Sequence, residues 1–175
     1  MKGAKQMNDF SNIPQEMRQH DNWVCWRLIE REGKKTKIPY NAKTGAGAKS
    51  NEPETWTSYQ EALQALGTGK YDGIGFMFSR SPFVGVDIDH CLEGGELSPV
   101  AAELVQQIGS YTEISPSGSG LHIIAKGQRP AEESRDKHGF GLEMYSDLRY
   151  FTITGNIYNG LTDIREAQDA VSAVH

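Results

Sequence analysis

Phe83-Val84-Gly85-Val86-Asp87-Ile88-Asp89-His90 is an apolar, β-branched run that closes on two acids, and it organises the reading of the whole chain. The pattern predicts a strand. Successive side chains of a strand point to opposite faces, so Asp87 and Asp89 share one face. Two ionised carboxylates this close repel each other. The usual compensation is a hard divalent cation with oxygen ligands, Mg²⁺ or Mn²⁺. The plainer alternative is a pair of acids that ends the strand and caps the following loop.

Working outward, Gly73 to Ser79 is a second apolar run, and Ser79-Arg80-Ser81-Pro82 has the spacing of a tight turn between adjacent strands. Downstream, Leu97 to Ile108 predicts a helix with Val100, Leu104, Val105 and Ile108 on one face. Ser98 is its N-cap, Pro99 its first helical residue and Gly109 its stop. Tyr111–Ile114, Leu121–Ala125, Phe140–Tyr145 and Tyr150–Thr154 read as strands, and a last helix is expected from about Asp163 to Ala173. Upstream, Trp23 to Glu30 and the run ending in Ile38-Pro39-Tyr40 form a hairpin about Glu32-Gly33. A loop and a capped helix over Tyr59–Leu66 follow.

This order predicts an α+β protein, a mixed and largely antiparallel sheet with flanking helices. Residues 1–20 read as a flexible lead-in with one short helix after Pro14. Residues 21–175 form one unit: an N-terminal α/β part over 21–72, a compact core over 73–160 and a terminal helix over 161–175. The chain has the look of a piece of a longer polypeptide.

Composition fits an ordinary folded domain: 175 residues, 37% hydrophobic and 23% charged. No stretch approaches the roughly 20 apolar residues of a membrane span, and no signal peptide opens the chain, so a cytoplasmic protein is expected. Cys25 and Cys91 lack metal-site spacing and read as free thiols. A net charge of -5 argues against nonspecific coating of DNA, although Lys34, Lys35, Lys37, Lys43 and Lys49 concentrate positive charge in one region.

Two further segments carry chemistry. Ser115-Pro116-Ser117-Gly118-Ser119-Gly120 joins two predicted strands and precedes Leu121-His122-Ile123, an arrangement resembling a phosphate cradle beside a cationic partner; a plain hairpin turn and a core histidine are the bland alternative. Leu142-Glu143-Met144-Tyr145 places a third acid in a strand, followed by Arg149-Tyr150-Phe151-Thr152-Ile153-Thr154-Gly155-Asn156.

Together these motifs resemble the archaeo-eukaryotic primase superfamily, and within it the primase-polymerase domains of phage and plasmid replication proteins. The acid pair is Val86-Asp87-Ile88-Asp89. The histidine motif is Ser119-Gly120-Leu121-His122, with one extra residue before the histidine, and the third acid is Glu143 where much of the superfamily has Asp. The likeness extends upstream through the Trp-rich strand, Lys37 to Asn41, the segment near Trp56 and Gly73-Ile74-Gly75-Phe76, covering roughly residues 20–160.

The resemblance implies an RRM-like core and a DNA primase and polymerase activity. Asp87, Asp89 and Glu143 would hold two metal ions, Mg²⁺ or Mn²⁺. His122, Ser117, Ser119 and Arg149 would meet the phosphates of a dNTP or NTP, and Tyr145 its sugar or base. Lys35 and Lys37 would touch template phosphates. Partners would be a DNA template and primer and a fused or associated helicase, with no membrane. Three rivals are weighed against this. A non-catalytic origin-binding initiator needs no acid trio. A rolling-circle nuclease needs a His-x-His pair that the five histidines do not form. A nucleotide cyclase does not call for the Ser/Gly-His segment or the Arg149–Gly155 run.

Overall fold

In the computed structural model, described over residues 8–127, 142–146, 149–158 and 160–174, two four-stranded antiparallel sheets share the core. The elements run α1 (Gln15–Arg18), β1 (Trp23–Arg31), β2 (Lys34–Tyr40), α2 (Tyr59–Leu66), β3 (Gly73–Met77) and β4 (Phe83–Ile88). There follow β5 (Leu92–Glu93), β6 (Glu96–Leu97), α3 (Pro99–Ile108), β7 (Tyr111–Ile114), β8 (Leu121–Lys126), β9 (Leu142–Tyr145), β10 (Tyr150–Ile153) and α4 (Gln168–Val174). The fold is α+β as expected, and no described helix is long and apolar enough to cross a membrane.

The first sheet is ordered β10-β3-β1-β2. Its β1–β2 hairpin turns on Glu32 and Gly33, both at positive φ (51° and 78°), the backbone that a two-residue hairpin loop with strand-like twist requires. The second sheet is ordered β7-β8-β4-β9. Since β4 and β7 both run antiparallel to β8, they are parallel to each other with β8 between them, and α3 is their crossover: a split β-α-β unit, the RRM-like arrangement.

Strands β3 and β4 do not form the adjacent pair that the Ser79–Pro82 spacing predicts. β1 and β10 occupy both edges of β3, so the chain passes at Arg80 (φ 60°) from one sheet to the other. Strand pairing therefore crosses the expected division at residue 72.

One face of the second sheet packs Val84, Val86, Ile88, Leu121, Ile123 and Met144 against α3 and α4. Each such buried aliphatic side chain contributes about 1.5–3 kcal/mol. The stripe of α3 is Ala101, Leu104, Val105 and Ile108, all buried, whereas Val100 is 46% exposed. Leu104, Val105 and Ile108 thus face the core as expected, and Ala101 takes the place expected for Val100. The opposite face meets the first sheet and α2 through Phe83, Tyr111, Ile124, Phe76, Phe78 and Phe151.

One boundary also differs from expectation. The last helix begins at Gln168, not near Asp163, because the preceding residues cover the open edge of the second sheet. Thr112 donates to the Leu161 carbonyl, and Lys126 to that of Arg165. Within residues 8–20, Ile13 and Met17 are buried, and the Trp23 indole N–H donates to the Met17 carbonyl at 3.1 Å. Both cysteines are free and buried.

Candidate active site

Four polar side chains form one row across the second sheet. Strand register pairs Glu113 of β7 with His122 of β8, His122 with Asp87 of β4, and Asp87 with Glu143 of β9. The alternation that sends Val86 and Ile88 towards α3 sends Asp87 the other way, into a cleft between the sheets. The cleft has a volume of about 580 Å³, and Asp87, His122, Tyr145, Arg149, Phe151 and Lys37 are among its lining residues.

The surroundings of Asp87 disfavour its charged form. Burial pushes its carboxyl up from 3.8 to about 6; Asp89 and Glu143 add repulsion, while His122 and Lys37 oppose the rise. Its Oδ1 is buried without a hydrogen-bond partner, with His122 Nε2 3.6 Å away. A buried, unpartnered carboxylate oxygen beside two further acids is what a hard cation fits. Asp89 sits exposed just past the end of β4. Among the described residues, no three His, Cys, Asp or Glu side chains are drawn into a closed metal cluster.

His122 is held on three sides. Phe151 of β10 stacks on its ring, with centroids 4.6 Å apart and planes 26° apart. Nε2 faces Asp87, and Nδ1 lies 3.4 Å from Glu113 Oε2, an ion-pair contact too poorly aligned to count as a hydrogen bond. Burial alone lowers the imidazole pKa, but the two carboxylates outweigh burial and raise it, which favours the cation.

Phe151 reaches the second sheet because residue 85 is Gly. A Cβ there would lie 2.5 Å from ring atoms of both Phe151 and Phe78. Neighbours in the same run have their own contacts: the Tyr150 hydroxyl donates to the Lys37 carbonyl, and the Arg149 guanidinium lies 5.4 Å from the Tyr145 ring centre.

Not all expected site residues converge. Asp87, His122, Tyr145, Arg149 and Lys37 line the cleft, whereas Asp89, Glu143, Lys35, Ser117 and Ser119 are not among its lining residues. The Ser/Gly loop instead closes on itself. Gly118 N–H donates to the Ser115 carbonyl, Ser119 N–H to Ser117 Oγ, and Gly120 N–H to Ser115 Oγ, so these amides are not free for phosphate. The three serine hydroxyls chain at 3.0 Å spacing. Gly120 packs the loop against β4: a Cβ there would meet the Ile88 carbonyl at 2.8 Å and the Asp89 Cα at 3.5 Å.

The two lysines separate as well. Lys35 is exposed, out along the hairpin opposite Glu30. Lys37, on the same strand face, reaches into the cleft with its ammonium 5.9 Å from the Trp26 ring centre; burial lowers its pKa while Asp87 and Asp89 oppose that. Glu113 escaped the sequence reading. The signal was an acid among apolar neighbours in Tyr111-Thr112-Glu113-Ile114, on the face that the strand alternation turns inward.

No family model matches the chain. Over 150 residues, 82% of its length, it is 41% identical to the DNA primase-polymerase of Nitratiruptor phage NrS-1. The chain spans 20% of the length of that relative.

Proposed function

Because the chain belongs to the primase-polymerase family, we propose that its cleft is a nucleotidyltransferase site that extends a primer along a DNA template. The observation that carries the reading is the cross-strand row. Asp87, with an unpartnered buried oxygen, stands between Glu143 and His122 on the wall of a cleft of nucleotide size.

Asp87, Asp89 and Glu143 would hold Mg²⁺ or Mn²⁺ through hard oxygen donors. Two such ions, when bound, supply activation of the primer 3′-hydroxyl and neutralisation of charge on the reacting phosphate. The rest falls to the chain's own residues, and it is positioning. His122, favoured as a cation and stacked on Phe151, turns Nε2 towards the triphosphate oxygens. Arg149 adds a second cation at the rim, and Tyr145 offers its ring to the sugar or base. Lys37 brings its ammonium into the cleft, within the electrostatic reach of Asp87 and Asp89, and Lys35, exposed along the hairpin, would meet template phosphates. Ser117 and Ser119 offer only hydroxyls, from beside the end of β4.

Substrates on this reading are a dNTP or NTP and a primed template strand, in replication of a phage or similar element, with a helicase on the same polypeptide or associated. The test is primer extension with labelled nucleotides and Mg²⁺ or Mn²⁺, comparing wild type with Asp87→Ala and Glu143→Ala. Wild type should extend, and both variants should lose activity by several orders of magnitude while keeping their circular dichroism. Extension by either variant at near the wild-type rate would remove the carboxylates from the reaction.

A further inference from the structure

We infer that Glu113 is a positioning residue of this site, fixing which nitrogen of His122 faces the cleft. The inference rests on the reading above, in which His122 meets the nucleotide.

Glu113 is fully buried, at 0% exposure. Donors from two directions grip its carboxylate. The Tyr111 hydroxyl donates to Oε1 at 2.8 Å and the Gly155 N–H to the same oxygen at 3.2 Å, while the Thr154 N–H donates to Oε2 at 2.8 Å. Burial, followed by the nearby carboxylate, raises the Tyr111 pKa, so the phenol stays a donor. The Thr154 hydroxyl lies 3.2 Å from Oε2 but is better placed on the Ile114 carbonyl at 2.7 Å. With two backbone amides among the donors, the carboxylate has little freedom to swing.

Held in this way, it faces His122 Nδ1 directly across the strands. A charge fixed beside one imidazole nitrogen favours the ring orientation that keeps that nitrogen facing it. A fixed carboxylate 3.4 Å from Nδ1 therefore holds that edge of the ring towards β7 and leaves Nε2 on the Asp87 side, while the Phe151 stack sets the ring plane. A purely structural role for Glu113 would be to satisfy the Thr154 and Gly155 amides after β10. The two roles make different predictions when His122 is absent.

The experiment is steady-state primer extension with Mn²⁺ and dNTP on Glu113→Gln, His122→Ala and the double variant. Glu113→Gln should raise the nucleotide KM about ten- to hundredfold, the range for losing a contact to a charged group, with kcat changed less. In the His122→Ala background the same substitution should change KM by less than about twofold, as for two residues acting as one unit. Effects that multiply in the double variant, or a wild-type KM for Glu113→Gln, would overturn the role. If Glu113→Gln does not fold, Glu113→Asp carries the same test: a smaller KM rise, again abolished without His122.

Long-range ¹H–¹⁵N correlation of the His122 ring gives an answer that needs no activity. In Glu113→Gln the Nδ1 resonance and the ring-proton shifts should both move, because the ring is then free to turn against the Phe151 face. An unchanged resonance overturns the inference. Lack of extension by wild type would instead remove the polymerase reading, leaving the NMR result to decide the role of Glu113.

Discussion

Replacing Asp87 by Asn should stabilise the metal-free protein at neutral pH. The folded environment raises the Asp87 pKa from 3.8 to about 6, chiefly by burial. A raised pKa means that the neutral form is favoured by folding. The benefit is fully present below about pH 4 and is lost as pH climbs through about 6. Each unit is worth about 1.4 kcal/mol, so ionised Asp87 costs at most about 3 kcal/mol at pH 7. Its side chain is 22% exposed, and local relaxation trims that ceiling, so we expect about 1–3 kcal/mol.

Asn keeps the shape and carries no charge. Thermal melts in chelator should therefore coincide at pH 4 and separate at pH 7, with the variant higher by roughly 2–12 °C for a chain of this size. Added Mn²⁺ should reverse the order by binding the folded wild type. At one hundred times its dissociation constant, a ligand adds about 2.7 kcal/mol to a protein that binds it only when folded. An Asn variant no more stable than wild type at pH 7 in chelator would refute the reasoning, since Asp87 would then be compensated by the protein alone.

Three further outcomes are expected. Gly85→Ala should cost about 1–3 kcal/mol in urea denaturation, as overpacking does, because the new methyl lands on Phe151 and Phe78; it should also lower extension by unseating His122. Arg149→Ala should raise the nucleotide KM in steady-state extension with kcat largely kept, since the residue lies at the cleft rim and not in the acid row. Lys35→Glu should weaken binding of a labelled primed template in anisotropy titrations and flatten a salt dependence that is already shallow for a domain of net charge -5.

The parts of the site that were legible in the sequence are those fixed by alternation within one strand. Val86-Asp87-Ile88 and Leu142-Glu143-Met144 each announce an acid on the face opposite two apolar residues, and pairing β4 with β9 brings those faces together. Alternation says nothing about which strands pair. β3 and β10 lie more than seventy residues apart yet zip in register from Ile74↔Ile153 to Met77↔Tyr150, so the tight turn at Ser79–Pro82 had to carry the chain between sheets. On α3, residues 100 and 101 both fit a helical stripe with 104, 105 and 108, and only packing chose Ala101. The late start of α4 has a similar cause: residues 161–167 spend their backbone on the edge of the second sheet, a demand that local propensity does not register.

Glu113 was the hardest to see, because an acid in a strand ordinarily marks the solvent face. Its burial is satisfied by groups some forty residues away, Thr154 and Gly155, at the end of the run that begins at Arg149. That run binds the two sheets into one site. Phe151 crosses from the first sheet to seat His122 in the second, and Gly75 leaves room for the Tyr150 ring, which a Cβ would approach to 2.7 Å. Tyr150 in turn ties down the backbone of Lys37. The acids alone therefore do not define the chemistry. The histidine beside them is seated by a strand of the other sheet, so Phe151→Ala, which changes neither an acid nor a base, should raise the nucleotide KM in primer extension while leaving all three carboxylates in place.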